Sequence, residues 1–194
     1  LDGKNTPAKE DSEEKIAAIL KAAPKAEFNG NSTVNGNIDN NLGLLTVNQG
    51  ATLNIEGEDN KVTNNGYIDL AGVLNGKIDN NGNITVLDSA AHMTSFDGGE
   101  LNISADVAAS SLVAEESNAD EIYVSAGSSL DLDSENLKTS QLTTYGTTKL
   151  GVDYTADAKV GNGGVLDLAS STLTGDVTLA DSSTLSFNVD NVEE

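Results

Sequence analysis

The sequence predicts an all-β chain wound as a parallel β-helix, with a short N-terminal α-helix as its cap. Three observations predict it. Four glycines stand sixteen residues apart: Gly50, Gly66, Gly82 and Gly98. Each is followed within five residues by two aliphatic residues with one polar residue between them, Leu53/Ile55, Ile68/Leu70, Ile84/Val86 and Leu101/Ile103. The octapeptide VNGNIDNN at 34–41 returns as LNGKIDNN at 74–81, an offset of 40 that fits two coils of about 20. One such coil cannot bury its apolar side, whereas a stack of coils can.

Residues 1–10 are polar, carry Gly3 and Pro7, and are expected to be loose. Residues 11–23 read as an α-helix. Asp11 serves as N-cap with Glu14 three residues on, the pattern of a capping box. Ile16, Ile19, Leu20 and Ala23 share one face at helical spacing, and Pro24 ends the run. Four small apolar residues cannot hold such a helix alone, so it is expected to lie on the open end of the stack. Residues 1–27 thus form a loose N-terminus plus amphipathic capping helix, and 28–194 the β-helix stack.

From Phe28 the apolar period falls from 3.6 to 2. Further aliphatic pairs at i, i+2 are Leu45/Val47, Ile122/Val124, Leu130/Leu132, Leu150/Val152, Leu166/Leu168, Val177/Leu179 and Leu185/Phe187. The residue between is usually Asn, Asp, Thr or Ser, so each pair reads as a short strand with aliphatics inward and a polar residue outward. Asn-Gly steps at 29–30, 35–36, 65–66, 75–76, 81–82 and 162–163 mark the turns. The Ala-, Ser- and Glu-rich stretch 105–121 reads as a longer outward loop. About nine coils fit between 28 and 192. An antiparallel sandwich or meander is the competing architecture, because Asn-Gly also makes hairpins. Coils are favoured because a meander has no reason to keep a sixteen-residue register, and because recurring Asn turns can stack into hydrogen-bonded ladders.

Composition narrows the function. Hydrophobic residues are 37% and aromatics 4%, too few large side chains for a compact globule of 194 residues but enough for a thin core. Thirty-one acids against 10 Lys and no Arg give a net charge of −21. Phosphate contacts need Lys and Arg, so nucleic acid is excluded as a partner. The same balance disfavours an anionic membrane surface, and no apolar run is long enough for a transmembrane helix. The acids are expected to keep the rod soluble. There is no Cys to form disulfides or ligate metal. The chain starts at Leu1 without a signal peptide, and reads as a processed product or a piece of a longer protein.

With these residues in view, the sequence resembles the passenger regions of bacterial autotransporters, and is similar to filamentous haemagglutinin-type adhesins. The cadence N-x-G-x-[IL]-x-[LV] carries the resemblance, in NQGATLNIEG at 48–57, NNGYIDLAG at 64–72, NNGNITVLD at 80–88 and GNGGVLDLASS at 161–171. It spans roughly residues 28–190. It implies a right-handed β-helix, export, and a role at the cell surface in adhesion or self-association. The families share no binding motif that can be placed on this chain. The uneven coil lengths and the N-terminal helix depart from their pattern.

Catalytic chemistry finds little support. A pectate-lyase-like Arg base is impossible without Arg. Asp39, Asp69 and Asp79 are the acids to inspect for a carboxylate pair between adjacent coils, although solvated strand-face acids are the favoured account of them. His92 is the single histidine, without a G-x-S-x-G elbow, and is expected to be an ordinary surface residue. Asp131, Asp133 and Glu135 alternate and so point one way. They are candidate calcium ligands, but a solvated acidic face is the favoured account of them, and no cofactor is expected. Thr143, Thr144, Thr147 and Thr148, with Thr172 and Thr174, lack the coil-by-coil regularity of an ice-binding face. Asn31, Asn83 and Asn102 lie in N-x-[ST] sequons that an Asn- and Thr-rich chain produces by chance. Tyr67, Tyr123, Tyr145 and Tyr154 are the sugar platforms on offer, scattered along the chain.

The expected function is a non-catalytic segment of an exported bacterial surface protein. It would act outside the cell through an extended, polar, acidic β face. Its partner is expected to be an identical rod or a surface ligand, protein or glycan. A β-helical glycan-binding or carbohydrate-active protein, or a structural surface-layer component, is the alternative.

Overall fold

The computed structural model describes residues 24–188. The helix expected at 11–23, the loose N-terminus before it and the acidic Glu193 and Glu194 lie outside the described residues.

Pairs of aliphatic residues two apart make short strands whose backbone groups must find partners on a neighbouring strand. Here the partner is always the equivalent strand of the next turn. Every strand pairing is parallel, which excludes the meander. The chain is a β-solenoid with three strand positions per turn. The first face stacks Lys25–Phe28, Leu44–Val47, Tyr67–Leu70, Asn83–Val86, Glu100–Ile103, the second half of Ser117–Val124, the second half of Leu137–Thr144, Asp157–Val160 and Val177–Leu179. Nine parallel strands at about 4.8 Å span roughly 38 Å.

The second face divides into two sheets. Asn31–Asn35, Thr52–Glu56, the start of Val73–Asn80 and the start of His92–Asp97 form one. Asp106–Ala108, Ser129–Leu132, Thr147–Leu150, Val165–Asp167 and Thr184–Ser186 form the other. Between them a single helical turn, Ala109–Leu112, buries Ala109 and Leu112 and delivers Val113 to a bridge with Met93. The expected outward loop at 105–121 is therefore largely strand and helix, with Leu112 fully in the core. The third face begins with Ile38–Asn40, Lys61–Asn64 and the second half of Val73–Asn80.

The core is a set of columns. Leu45, Ile68, Ile84, Leu101, Ile122 and Leu142 stack in one, and Val47, Leu70, Val86, Ile103, Val124 and Val160 in the next, all with essentially no exposure. Each buried aliphatic of this size contributes about 1.5–3 kcal/mol. Among the described residues Phe96 is the one fully buried aromatic ring, so the core is built almost wholly of aliphatic side chains. Tyr154 is also buried, and its hydroxyl donates to the Leu137 carbonyl at 2.9 Å.

Thr144 occupies the inward position between Val124 and Val160, and Thr148 that between Leu130 and Leu166. Both hydroxyls are buried without a hydrogen-bond partner. An orphaned buried hydroxyl costs free energy that an isosteric methyl does not. Thr144→Val is therefore expected to stabilise the solenoid by about 1 kcal/mol, measured as an upward shift of the chemical denaturation midpoint.

Turn length is uneven. Leu44 to Tyr67 is 23 residues and Tyr67 to Asn83 is 16. The 40-residue repeat is real on the third face, where Asn40 aligns with Asn64 and then Asn80, but its two turns are 24 and 16 residues. The sixteen-residue glycine series also proves composite. Gly66 and Gly82 share a corner, with Gly43 below and Gly99 above. Gly50 sits at a different corner, and Gly98 supplies a carbonyl beside that of Gly82.

The shared corner is held by amides. Asn40, Asn64 and Asn80 point inward with at most 1% exposure. Asn40 Nδ2 donates to Asn64 Oδ1 at 2.7 Å, and Asn64 Nδ2 to Asn80 Oδ1 at 2.7 Å. Asn80 Nδ2 closes the ladder on the Gly98 carbonyl at 3.1 Å. Their chain neighbours Asn41, Asn65 and Asn81 form a second, exposed ladder at 3.3 and 3.1 Å.

Candidate functional site

Outward side chains alternate with the core columns, so each face carries parallel ranks of surface groups at strand spacing. On the first face one rank runs Lys25, Leu44, Tyr67, Asn83, Glu100, Glu121, Gln141, Asp157. The adjacent rank runs Glu27, Thr46, Asp69, Thr85, Asn102, Tyr123, Thr143, Lys159, Thr178. Like charges side by side on adjacent strands destabilise a sheet. Glu100 and Glu121 are such a pair, and each takes a donor from its other side. Asn83 Nδ2 donates to Glu100 at 3.3 Å, and Thr143 Oγ1 to Glu121 at 3.1 Å.

The three acids singled out in the sequence are not brought together. Asp69 lies on the first face, whereas Asp39 and Asp79 lie on the third with Thr63 between them. Asp79 instead stands in register with Asp97 on the next turn. Both of those carboxylates are engaged. Asp79 is ion-paired with Lys61, and Asp97 accepts from Asn118 Nδ2 at 3.3 Å. They border a shallow depression of about 300 Å³. A second, of about 390 Å³, is bordered by Glu100, Asp120, Glu121 and Gln141.

Asp69 is the acid whose environment matters most. Burial raises its pKa, an effect only partly countered by Lys25. A raised folded-state pKa means that folding is penalised once the carboxyl ionises. The penalty is absent well below the ordinary value of 3.8, grows as pH rises through that value, and is complete above the raised one. Asp69→Asn is expected to melt higher than the parent at pH 7, with the difference closing below about pH 4. Thermal unfolding at both pH values checks this.

Asp131 lies within the strand Ser129–Leu132, Asp133 just beyond it and Glu135 in the turn that follows, so the three do not share one setting. Asp131 stands in register with Lys149, which is in turn in register with Asp167. Asp133 is bound to the helical turn, accepting from Ser110 N at 2.8 Å and Ser110 Oγ at 2.5 Å. Its slight burial raises its pKa, but the Ser110 donors outweigh that and leave it lowered. Among the described residues no group of three or more acidic or histidine side chains is placed to hold a metal ion. His92 Nδ1 donates to the Ser111 carbonyl at 2.8 Å on the surface. Of the threonines, 143 and 147 point outward while 144 and 148 point inward. The sequon residues Asn31, Asn83 and Asn102 all lie on outward strand positions.

The tyrosines are less scattered than their numbers imply. Tyr154 is in the core, where burial pushes its hydroxyl pKa well up. Tyr67 lies on the first face. Tyr123 and Tyr145 meet, with ring centroids 5.4 Å apart and planes tilted by 36°. Tyr123 aligns with Thr143, so Tyr145, two residues on, is its diagonal neighbour on the next turn. The 22-residue spacing gave no direct sign of this, because it equals one local turn of 20 plus a diagonal step of two.

One region differs in charge. The outward residues at the start of the second face are Asn31, Thr33, Thr52, Asn54, Val73, Asn75, His92 and Thr94. None is an acid or a lysine, on a chain of net charge −21, and Glu56, beside Asn35 at the next outward position of the same strands, borders them. They are tied across turns, with Asn75 Nδ2 donating to Asn54 Oδ1 at 2.8 Å and Gly76 N to Thr94 Oγ1 at 3.1 Å.

No protein-family model matches the sequence, and neither a curated protein nor a solved structure matches the chain.

Proposed function

We propose that this chain is a non-catalytic segment of an exported bacterial surface protein that acts in adhesion or self-association through its long polar β faces. The observation that carries the reading is the uncharged Asn/Thr array on the second face. Amides and hydroxyls each both donate and accept, and they repeat at strand spacing. A second copy repeats at the same spacing, so two such arrays related by a two-fold axis are self-complementary. The acids of the first and third faces then point away from the contact, while Glu56 at its border and Asp106, Asp131 and Asp167 on the other sheet of the second face remain on the same side. They still oppose approach over about a Debye length, some 10 Å at 0.1 M salt.

Association is therefore expected to strengthen as ionic strength rises from about 0.01 to 0.5 M, seen as a growing dimer fraction in sedimentation velocity. Asn54→Glu, which puts a charge in the middle of the array, is expected to lower that fraction severalfold at every salt concentration. A monomer under all conditions, or an Asn54→Glu variant that associates like the parent, would remove the reading.

A further inference from the structure

We infer that Tyr123 and Tyr145 form a stacking platform for a neutral hexopyranose oligosaccharide. A pyranose offers one face of axial C–H groups with partial positive charge, and the face of an aromatic ring is negative. Two tyrosine rings in tilted contact, 5.4 Å apart, can receive that face, because each fixes a large amphipathic area at the cost of only two torsions.

The pair is built into the solenoid. Tyr123 projects from the strand Ser117–Val124 and Tyr145 follows directly on Leu137–Thr144, so the two rings sit on adjacent turns. The ring of Tyr145 lies against Gly161 of the following turn. A Cβ there would fall 2.3 Å from Tyr145 Cε1, so the absent side chain makes the seat for the ring. Both tyrosines remain half-buried rather than enclosed.

Polar groups suited to hydroxyls continue from the rings along the same two strands. Thr143 Oγ1 holds the Glu121 carboxylate at 3.1 Å, and Gln141 lies beside Glu121 in register. Glu121 and Gln141 also line the shallow depression of about 390 Å³ at the far edge of the face. A track from the rings across Thr143 to that depression is longer than one sugar, which is why the ligand is an oligosaccharide. Its neutrality follows from charge. Lys159 stands beside Thr143, but the track carries Glu121 with Glu100 in register beside it, and a chain of net charge −21 without Arg repels uronic and sialic acids.

The site stands apart from the self-association array, which lies on the second face, so failure of either reading leaves the other standing. The test is titration of the whole chain with cellotetraose, N-acetylated chitotetraose and, as acidic control, tetragalacturonate. The chain has four tyrosines and no Trp, so tyrosine fluorescence and ring NMR signals report without interference. At least one neutral tetraose is expected to shift the Tyr123 and Tyr145 signals, with Kd on the order of 1 mM, while Tyr154 stays unchanged. Tyr145→Phe should bind within twofold of the parent. Tyr145→Leu and Tyr123→Leu, which keep apolar bulk but lose a ring, should each weaken binding at least fivefold, and Tyr67→Leu should not. The inference is overturned if no neutral tetraose moves either ring, if tetragalacturonate binds as well, or if the folded leucine variants bind like the parent.

Discussion

Replacing Asn64 by alanine is expected to cost roughly 2–5 kcal/mol, because it orphans buried groups on both neighbouring turns. The Asn64 amide is the middle rung of the inward ladder. Its Oδ1 accepts from Asn40 Nδ2 at 2.7 Å and from Gly66 N at 3.2 Å. Its Nδ2 donates to Asn80 Oδ1 at 2.7 Å and to the Asn83 carbonyl at 3.2 Å. Alanine removes these four bonds, and a fifth from Nδ2 to the Gly66 carbonyl at 3.4 Å, at a position with no exposure to water. Asn40 Nδ2 keeps the Tyr67 carbonyl at 2.9 Å, but Asn80 Oδ1 and Gly66 N lose their amide partner. Each buried group left unmade costs about 1–3 kcal/mol, more than the bond itself contributes when made.

Two comparisons separate the hydrogen bonds from packing. Asn64→Asp keeps the shape but sets a carboxylate against Asn80 Oδ1, so it should be at least as damaging at pH 7 and less so in acid, where the carboxyl can donate. Asn65→Ala cuts the parallel but exposed ladder, whose members can turn to water, and should cost less than about 0.5 kcal/mol. Equilibrium denaturation of the three variants decides the matter. An Asn64→Ala variant within 1 kcal/mol of the parent would mean that the inward amides merely fill space.

Much of this architecture was legible because a solenoid writes each turn into the chain separately. Ile84/Val86, Leu101/Ile103 and Ile122/Val124 announce inward pairs by period alone, and they stack in the order the sequence lists them. The double asparagines at 40–41, 64–65 and 80–81 announced a ladder. What they could not announce was which member turns inward, since that depends on where the corner falls relative to the strand before it. Register was legible only in part for the same reason. The turn from Leu44 to Tyr67 carries an extra loop at 57–60 that the next turn lacks, so equal spacing in sequence is not equal height in the stack. Gly50 and Gly66 are sixteen apart yet occupy different corners. The outer face was the least legible. Tyr123 and Tyr145 meet only because a 20-residue turn and a diagonal offset coincide, and the uncharged array becomes visible only once residues from four turns lie side by side.

The corner that carries the ladder also sets the second large effect. Gly82→Ala is expected to destabilise the solenoid by about 1–3 kcal/mol or more, in the manner of overpacking against an unyielding wall. The wall is backbone. A Cβ on Gly82 would lie 2.2 Å from the Gly66 carbonyl oxygen. That oxygen is not free to move, because it accepts from Asn83 N at 2.9 Å as the first bond of the next strand pair. The same relation recurs one turn down, where Gly43 O takes Tyr67 N at 2.9 Å, and one turn up, where Gly82 O takes Glu100 N at 3.0 Å. A methyl at this corner must therefore either lengthen a ladder bond or tilt one turn on another, and a tilt is passed to every turn stacked above. Gly30→Ala is the matched control. Nothing lies within 4 Å of its added Cβ, so the methyl costs no contact and restricts the unfolded chain. It is expected to be neutral or stabilising by up to about 1 kcal/mol. If the two alanine variants unfold at the same denaturant concentration, close stacking of glycine backbones does not hold this corner, and the recurrence of Asn-Asn-Gly would need another cause.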